Sequence, residues 1–170
     1  MKARRRKSRR GAVLAAGGIV MRCGRRPLIA VVQRRKDNTW VLPKGKLKRH
    51  ETAMAAARRE AIEETGTDVR LREFLGAISY KANGKPKVVQ FWHMQSVGGR
   101  GRKLTADIRA VKWLPLGKAV ARLTQPLERA FLGQVGRRRR KRSTGVAMRS
   151  KARARKAKSR KARSRATARR

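Results

Sequence analysis

The sequence predicts an α+β fold. Short runs of β-branched and aromatic residues, bounded by Gly, Pro or Asn, recur along the chain as strands do. Two longer segments instead place apolar residues at helical spacing. The expected strands lie near residues 11–22, 27–34, 38–42, 70–80, 87–96 and 108–114, and the expected helices lie near residues 51–65 and 116–133.

The first strand is predicted in the apolar run of residues 11–21, which follows seven basic residues within residues 1–10. A basic segment before an apolar one is also typical of a secretory signal peptide. We favour the strand, because the domain needs it and because long cationic tails would hinder export. No stretch reaches the ~18 to 20 apolar residues of a membrane-spanning helix, so no membrane contact is expected.

Local signals place the later elements. Residues 82–86, Ala-Asn-Gly-Lys-Pro, predict a hairpin turn between two strand-like runs. Pro126 lies inside the last predicted helix and is expected to split it in two. The apolar stripe of that helix consists of Ala119, Leu123, Leu127, Ala130 and Phe131.

The helix near residues 51–65 carries three carboxylates, Glu60, Glu63 and Glu64. Steps of three and four residues place them on one side of a helix, within an arc of about 100°. Three like charges so close repel one another unless a cation lies among them, and Mg2+ prefers such oxygen ligands. The pattern therefore indicates a metal site for pyrophosphate chemistry. The apolar side chains beside the arc, which are expected to pack on a sheet, are Met54, Ala57, Ala61 and Ile62.

Two glycines frame this helix. Gly66 is expected to end it, and Gly45 is expected to turn the chain before it and to bring its carbonyl near the metal. From Gly45 to Gly66 the residues follow the pattern G-x5-E-x7-R-E-(apolar)-x-E-E-x-G at every fixed position. This pattern resembles the signature of the Nudix hydrolases. The resemblance covers roughly residues 11–135 and implies the Nudix fold, a mixed β-sheet sandwiched between helices.

The resemblance implies hydrolysis of a nucleoside diphosphate linked to another group. Water attacks phosphorus while Mg2+, for which Mn2+ can substitute, neutralises the phosphate oxygens. It also implies that Glu60 and Glu64 are direct metal ligands, that Glu63 binds directly or through water, and that Gly45 contributes its carbonyl. Arg59 would orient a neighbouring glutamate.

The general base varies among Nudix enzymes between a glutamate of the motif and an acid from a loop. The candidates here are Glu60, Glu63 and Asp107, which lies just before the last predicted strand. An aspartate is one methylene shorter than the glutamate that relatives often carry there, so all three stay open. Glu51 belongs to the motif as well, although an acid in the first turn of a helix is also favoured by the helix macrodipole.

Basic residues near the motif are expected to bind the phosphates of the substrate. Lys44 and Lys46 flank Gly45, and Arg34 and Arg35 end the strand that leads to it. The Pro-Lys-Gly-Lys form of this segment resembles the branch of Nudix enzymes that act on diadenosine polyphosphates, diphosphoinositol polyphosphates or oxidised nucleoside triphosphates. The residues that either stack on a base or fill the core are Tyr80, Phe91, Trp92 and His93.

Basic residues outnumber acidic ones by 50 to nine in the 170 residues, which gives a net charge of +41. Residues 1–10 hold seven of the basic residues and residues 137–170 hold eighteen, and neither segment contains an acid. We therefore predict a basic tail over residues 1–10, a Nudix hydrolase domain over residues 11–136 and a basic tail over residues 137–170. After Met148 the second tail has no apolar residue larger than Ala, so it is expected to be disordered in isolation.

Tails of this composition bind polyanions by releasing counterions, without base specificity. Nucleic acid is therefore an expected partner beside the nucleotide substrate, and an inert solubilising tail is the alternative. The single cysteine, Cys23, fits a reducing cytoplasm, where association with the nucleoid is a further option. Two other functions stay open: an RNA 5′-pyrophosphohydrolase whose tails hold the strand, and a nucleic-acid-binding protein with an idle Nudix domain. No oligomeric state is predicted.

Overall fold

The computed structural model describes residues 11–98 and 101–138. Its strands are β1 (Val13–Arg22), β2 (Leu28–Arg34), β3 (Trp40–Val41), β4 (Lys44–Lys46), β5 (Asp68–Ala82), β6 (Lys85–Gly98) and β7 (Ile108–Leu114). Its helices are α1 (Ala53–Thr65), α2 (Leu116–Arg122) and α3 (residues 126–138). Within these residues no helix is long and apolar enough to cross a membrane.

The chain divides after Gly133 into two units, and every contact below belongs to the first. In the second unit, residues 134–138 are described and are helical. Residues 1–10 and 139–170, which contain nearly all of the two predicted tails, lie outside the described residues. The proposed limits of the domain and tails therefore stay predictions.

Seven strands join one mixed sheet, which confirms the predicted α+β class. The central path runs β3-β2-β1-β6-β5, with β1 and β6 parallel and the other pairs antiparallel. β4 pairs with the first half of β1, and β7 pairs with β2. The sequence pattern does not predict β4, because a glycine between two lysines carries no strand propensity.

Helices lie on both faces of the sheet, as the Nudix resemblance implies. Neighbouring residues of a strand face opposite sides. On β6, Trp92 faces α1, and Phe91 contacts Phe131 of α3 with the ring centroids 5.2 Å apart. The buried cluster between α1 and the sheet consists of Ala16, Val20, Ala30, Ala56, Ala57, Ala61, Val69, Trp92 and Met94.

The predicted Ala57, Ala61 and Ile62 pack toward the sheet, but the first turn of α1 differs from the prediction. Ala56 is fully buried, whereas Met54, expected to pack on the sheet, is 54% exposed. The helix begins at Ala53, two residues later than expected, because the hydroxyl of Thr52 caps its first turn. Met54 thus lies in that first turn, and small alanines bring the following turns close to the sheet.

Three local predictions are confirmed. Gly66 ends α1 with a left-handed φ of 67°. Asn83 and Gly84 form the hairpin turn between β5 and β6, with φ of 50° and 72°, as a two-residue turn with both residues left-handed requires. α2 ends at Arg122 and Pro126 is the first residue of α3, where its missing N–H costs no hydrogen bond.

Gly17 of β1 allows the segment before and within β4 to approach closely, whereas Gly18 faces Met94. A Cβ at Gly17 would lie 2.3 Å from the carbonyl oxygen of Pro43 and 2.5 Å from the Cβ of Lys44. At Gly18 the nearest atom would be the Sδ of Met94, at 2.8 Å, on a flexible side chain. The backbone N–H of Gly18 also donates to the Pro43 carbonyl, at 3.0 Å. Backbone contact therefore fixes this segment on β1.

We expect Gly17→Ala to lower the free energy of unfolding by about 2 to 3 kcal/mol, since the added methyl group meets backbone that cannot shift without disturbing the β1–β4 pairing. Gly18→Ala is the matched control, with an expected loss of about 1 kcal/mol or less, because Met94 can change rotamer. Urea unfolding followed by circular dichroism measures both. Equal losses in the two variants would contradict the close approach at Gly17.

Candidate active site

The site begins where β4 meets α1. Gly45 pairs with Ala16 of β1, and a Cβ at Gly45 would lie 2.0 Å from the carboxyl carbon of Glu60. The Glu60 carboxylate therefore lies directly against the Cα of Gly45. We expected this glycine to make a tight turn, but it lies in a strand without a left-handed φ. Glycine leaves room for the carboxylate, which any side chain at this position would displace.

Glu64 lies beside Glu60 and is largely removed from water. Its Oε2 accepts a hydrogen bond of 2.9 Å from the backbone N–H of Lys44. Burial, with a smaller effect of the Glu60 charge, raises the pKa of Glu64 to about 7, although the Lys44 N–H acts to lower it. The protein therefore does not fully stabilise the negative charge of Glu64.

Arg59 holds three other carboxylate groups with one guanidinium. Its Nη1 donates to Glu60 Oε1 at 2.6 Å and to Glu63 Oε2 at 3.2 Å. Its Nε and Nη2 donate to the two oxygens of Glu51 at 2.8 and 2.9 Å. The hydrogen bond from Arg59 lowers the pKa of Glu51 to about 2. Arg59 therefore offsets part of the repulsion among the acids.

The position of Glu51 differs from the predicted one. Glu51 precedes Thr52, the N-cap of α1, and so does not lie in the first helical turn. The macrodipole explanation is therefore wrong for this residue. Its carboxylate instead accepts hydrogen bonds from Arg59 and, at 2.9 Å, from the backbone N–H of Lys48, which ties the segment before α1 to the helix.

The donor set fits a magnesium ion that is shared with a substrate. In residues 11–98 and 101–138, no group of three or more His, Cys, Asp or Glu side chains is arranged to hold a metal by itself. Mg2+ usually takes only one or two carboxylates and completes its shell with water and substrate phosphates. A divalent cation beside Glu60 and Glu64 would offset both the burial of Glu64 and the repulsion between the pair. Glu63, paired with Arg59 and 41% exposed, lies further toward solvent.

Asp107, the loop candidate for the general base, is exposed in the turn before β7. Its carbonyl accepts from the backbone N–H of Arg35 at 2.8 Å, and the Arg35 Nε donates to Ala106 O at 3.0 Å. The same loop reaches the end of α1, where Thr105 N donates to Glu63 O at 3.2 Å. The loop is thus held beside the motif, and the choice among the candidate bases stays a prediction.

Lys44, predicted to bind phosphate, is engaged elsewhere. Its Nζ forms an ion pair of 2.9 Å with Glu128 of α3, and the two side chains are 8% and 2% exposed. An ammonium group enclosed in this way does not face a substrate, which argues against the predicted phosphate-binding role of Lys44. Lys46 is exposed at the end of β4, and Arg34 is 43% exposed beside Asp37.

A further pair, Tyr80 and Lys87, was not predicted as a site. The two residues lie opposite each other on β5 and β6, with the Lys87 Nζ 6.0 Å from the centre of the Tyr80 ring. Burial lowers the pKa of Lys87, and the charges of Lys44, Lys46 and Arg34 lower it further. Lys87 therefore lies within the electrostatic range of those cations. One feature of the sequence could have predicted this pair: Lys87 shares a strand face with the apolar residues Val89 and Phe91.

Of the aromatic candidates, Phe91 is fully buried and Trp92 is 9% exposed, so both belong to the core. Trp40 is also 9% exposed and belongs to the core. Tyr80 is half-buried, and burial raises its pKa. Among these residues Tyr80 thus has the accessible ring.

Known proteins are similar to this chain in sequence. The NUDIX domain profile matches residues 11–134. An 8-oxo-(d)GTP phosphatase of Mycolicibacterium smegmatis is 36% identical over 104 residues, which cover 61% of this chain and 32% of that protein. The putative mutator protein MutT4 of Mycobacterium tuberculosis is 35% identical over 106 residues, which cover 60% of this chain and 43% of that protein. The chain thus spans less than half the length of these two relatives.

The fold has a close counterpart among solved structures. A C. elegans Ap4A hydrolase in a binary complex superposes with a TM-score of 0.66 at 25% identity, over 80% of this chain and 98% of that chain. The profile match covers the strands β1 to β7, the motif and α2. The chain therefore belongs to the Nudix hydrolase family.

Proposed function

We propose that this chain is a Mg2+-dependent Nudix pyrophosphohydrolase. Its substrate is a nucleoside diphosphate linked to another group, either a dinucleoside polyphosphate or a modified nucleoside triphosphate. The observation that carries the proposal is the placement of Glu60 and Glu64 against β4, with Arg59 bound to Glu60. Three clustered glutamates on one helix have no evident structural use in a fold of this size.

The roles follow from the donor atoms. Glu60, Glu64 and the carbonyl of Gly45 would hold the metal, and Glu63 would bind it directly or through water. A bound divalent ion neutralises phosphate oxygens and lowers the pKa of water, and Mn2+ can substitute for Mg2+. Water adds to phosphorus and the bridging P–O bond breaks, so the leaving phosphate carries away the electron pair. The proton of the water goes to a general base.

The substrate class is supported by charge. Lys46 and Arg34 lie near the motif, and Lys87 adds a cation from β6. Such a group of cations suits a chain of more than two phosphates. The similar proteins named as an 8-oxo-(d)GTP phosphatase and an Ap4A hydrolase have the same two kinds of substrate in their names. Arg35, tied to Ala106, is the weakest of the predicted phosphate ligands.

The purified full-length chain is expected to hydrolyse a nucleotide pyrophosphate bond only when Mg2+ or Mn2+ is present. A suitable panel contains dinucleoside polyphosphates, 8-oxo-dGTP, nucleotide sugars, diphosphoinositol polyphosphates, and capped or triphosphorylated RNA. Phosphate release and chromatography of the products measure turnover. A folded chain that turned over none of these with metal present would refute the enzymatic proposal.

Glu60→Gln and Glu64→Gln should each lower kcat by roughly three orders of magnitude while leaving the fold intact, since a lost ligand misplaces the metal. Asp68→Asn is the control, because Asp68 forms a surface ion pair with the exposed Arg102, at 2.7 Å. Asp107→Asn separates the candidate bases. A loss at Asp107 comparable to that at Glu60 would assign the base to the loop, and unchanged activity would assign it to Glu60 or Glu63.

The tails motivate a second binding activity. Residues 1–10 and 137–170 together contain 25 basic residues and no acid. We propose that they hold nucleic acid without base specificity, in a cytoplasmic or nucleoid-associated protein. If the substrate were itself RNA, with hydrolysis at its 5′ end, the tails would also raise the affinity for that substrate. If the Nudix domain were instead catalytically idle and only bound nucleic acid, it would leave every nucleotide intact.

Binding of the full chain to duplex DNA and to RNA should weaken by about 10³- to 10⁵-fold between 50 and 200 mM salt if 6 to 10 phosphates are neutralised. A chain limited to residues 11–136 is the control. It should keep its activity on small nucleotides and lose most of this binding, since its net charge falls to +16. Fluorescence anisotropy measures the affinities. If the shortened chain bound nucleic acid as tightly as the full chain, the tails would have another role.

A further inference from the structure

Glu128 is a carboxylate outside the motif that is only 1% exposed. It lies on α3, and both of its oxygens are bound to the segment just before Gly45. Its Oε1 accepts from Lys44 Nζ at 2.9 Å, and its Oε2 accepts from the backbone N–H of Leu42 at 2.7 Å. Glu128 thus joins the last helix to the segment that leads into the site.

Stability alone does not account for this pair. Removing two charges from water carries a large desolvation cost, and apolar residues of similar volume often serve as well or better. The ion pair instead defines geometry. Lys44 Nζ also donates to Leu42 O at 3.3 Å, so Glu128, Lys44 and both backbone polar groups of Leu42 form one closed network. That network restricts residues 42–44 to one conformation.

The same segment supports both carboxylates of the site. The backbone N–H of Lys44 donates to Glu64 Oε2 at 2.9 Å. Gly45, the next residue, lies against the Glu60 carboxylate. A shift of residues 42–44 would therefore displace a hydrogen-bond donor of Glu64 and the surface on which Glu60 rests.

We propose that Glu128 is a positioning residue of the metal site, which acts through Lys44 on Glu64 and Glu60. The proposal rests on the proposed function in one respect, namely that Glu60 and Glu64 bind a divalent cation. Glu128 itself touches neither the metal nor the substrate. Its effect is expected on metal affinity, as for residues that orient the ligands of a metal.

The first test uses Glu128→Gln in the full-length chain. Glutamine keeps an oxygen for Leu42 N–H, but it has no negative charge for the buried ammonium of Lys44. We expect the Kd for Mn2+, measured by electron paramagnetic resonance without substrate, to rise by about 10- to 100-fold. Mg2+ titrations of kcat should show the same shift in the metal concentration that gives half-maximal rate.

Thr124→Val is the matched control for lost stability. Thr124 links the α2–α3 connection to β3, because its Oγ1 accepts from Trp40 N at 3.0 Å and its N–H donates to Trp40 O at 2.8 Å. Its hydrogen bonds within the described part of the chain go to Trp40 and not to residues 42–44, so the variant should lower Tm while Mn2+ affinity changes by less than about 2-fold. A loss of Mn2+ affinity in Thr124→Val equal to that in Glu128→Gln would overturn the proposal.

A double variant, Lys44→Met with Glu128→Gln, keeps the test decisive if Glu128→Gln alone does not fold. It leaves no unpaired buried charge, so the fold should be retained. Weakened Mn2+ binding in the folded double variant supports the proposal, and wild-type affinity overturns it.

If the unmodified chain bound no Mn2+, the metal site and this role of Glu128 would both be refuted. If it bound Mn2+ but hydrolysed no nucleotide, the proposed function would fail while the result for Glu128 stood.

Discussion

The close approach of the Glu60 carboxylate to the Cα of Gly45 is the contact on which the geometry of the site depends. It requires α1 to lie near the sheet, and Ala56, Ala57 and Ala61 provide the thin helix face that permits this. Larger residues there would lift the helix and carry Glu60 away from β4. A glycine on the strand and alanines on the helix are therefore two parts of one steric constraint.

The same packing places the acidic side chains of the site in different environments. Arg59 binds Glu51, Glu60 and Glu63, whereas Glu64 is partly buried and held by a backbone N–H. Neighbouring carboxylates thus have opposite environments, one with its pKa near 2 and one near 7. In a chain with nine acids, five lie in or beside the site: Glu51, Glu60, Glu63, Glu64 and Glu128.

Local chemistry made much of this fold predictable. Gly66, the Asn83–Gly84 turn and Pro126 each act through the backbone of their own neighbours, so the sequence alone places them. The spacing of the glutamates likewise follows from the helical period. The function of Gly45 was misjudged because its neighbour Glu60 comes from another element, and only the packing of α1 on β4 reveals the steric need for glycine.

The Lys44–Glu128 pair is even harder to predict from the sequence, because 84 residues separate the partners and no periodicity connects them. A lysine beside the motif suggests phosphate binding until a buried carboxylate from α3 is known. Lys44 is paired with Glu128. The other candidate phosphate-binding cations near the motif lie on three strands: Arg34 on β2, Lys46 on β4 and Lys87 on β6. Burial and neighbouring cations both disfavour the charge of Lys87, and a bound anion would reverse that effect. We infer that the motif defines the reaction, whereas residues gathered by the sheet define how long a phosphate chain is accepted.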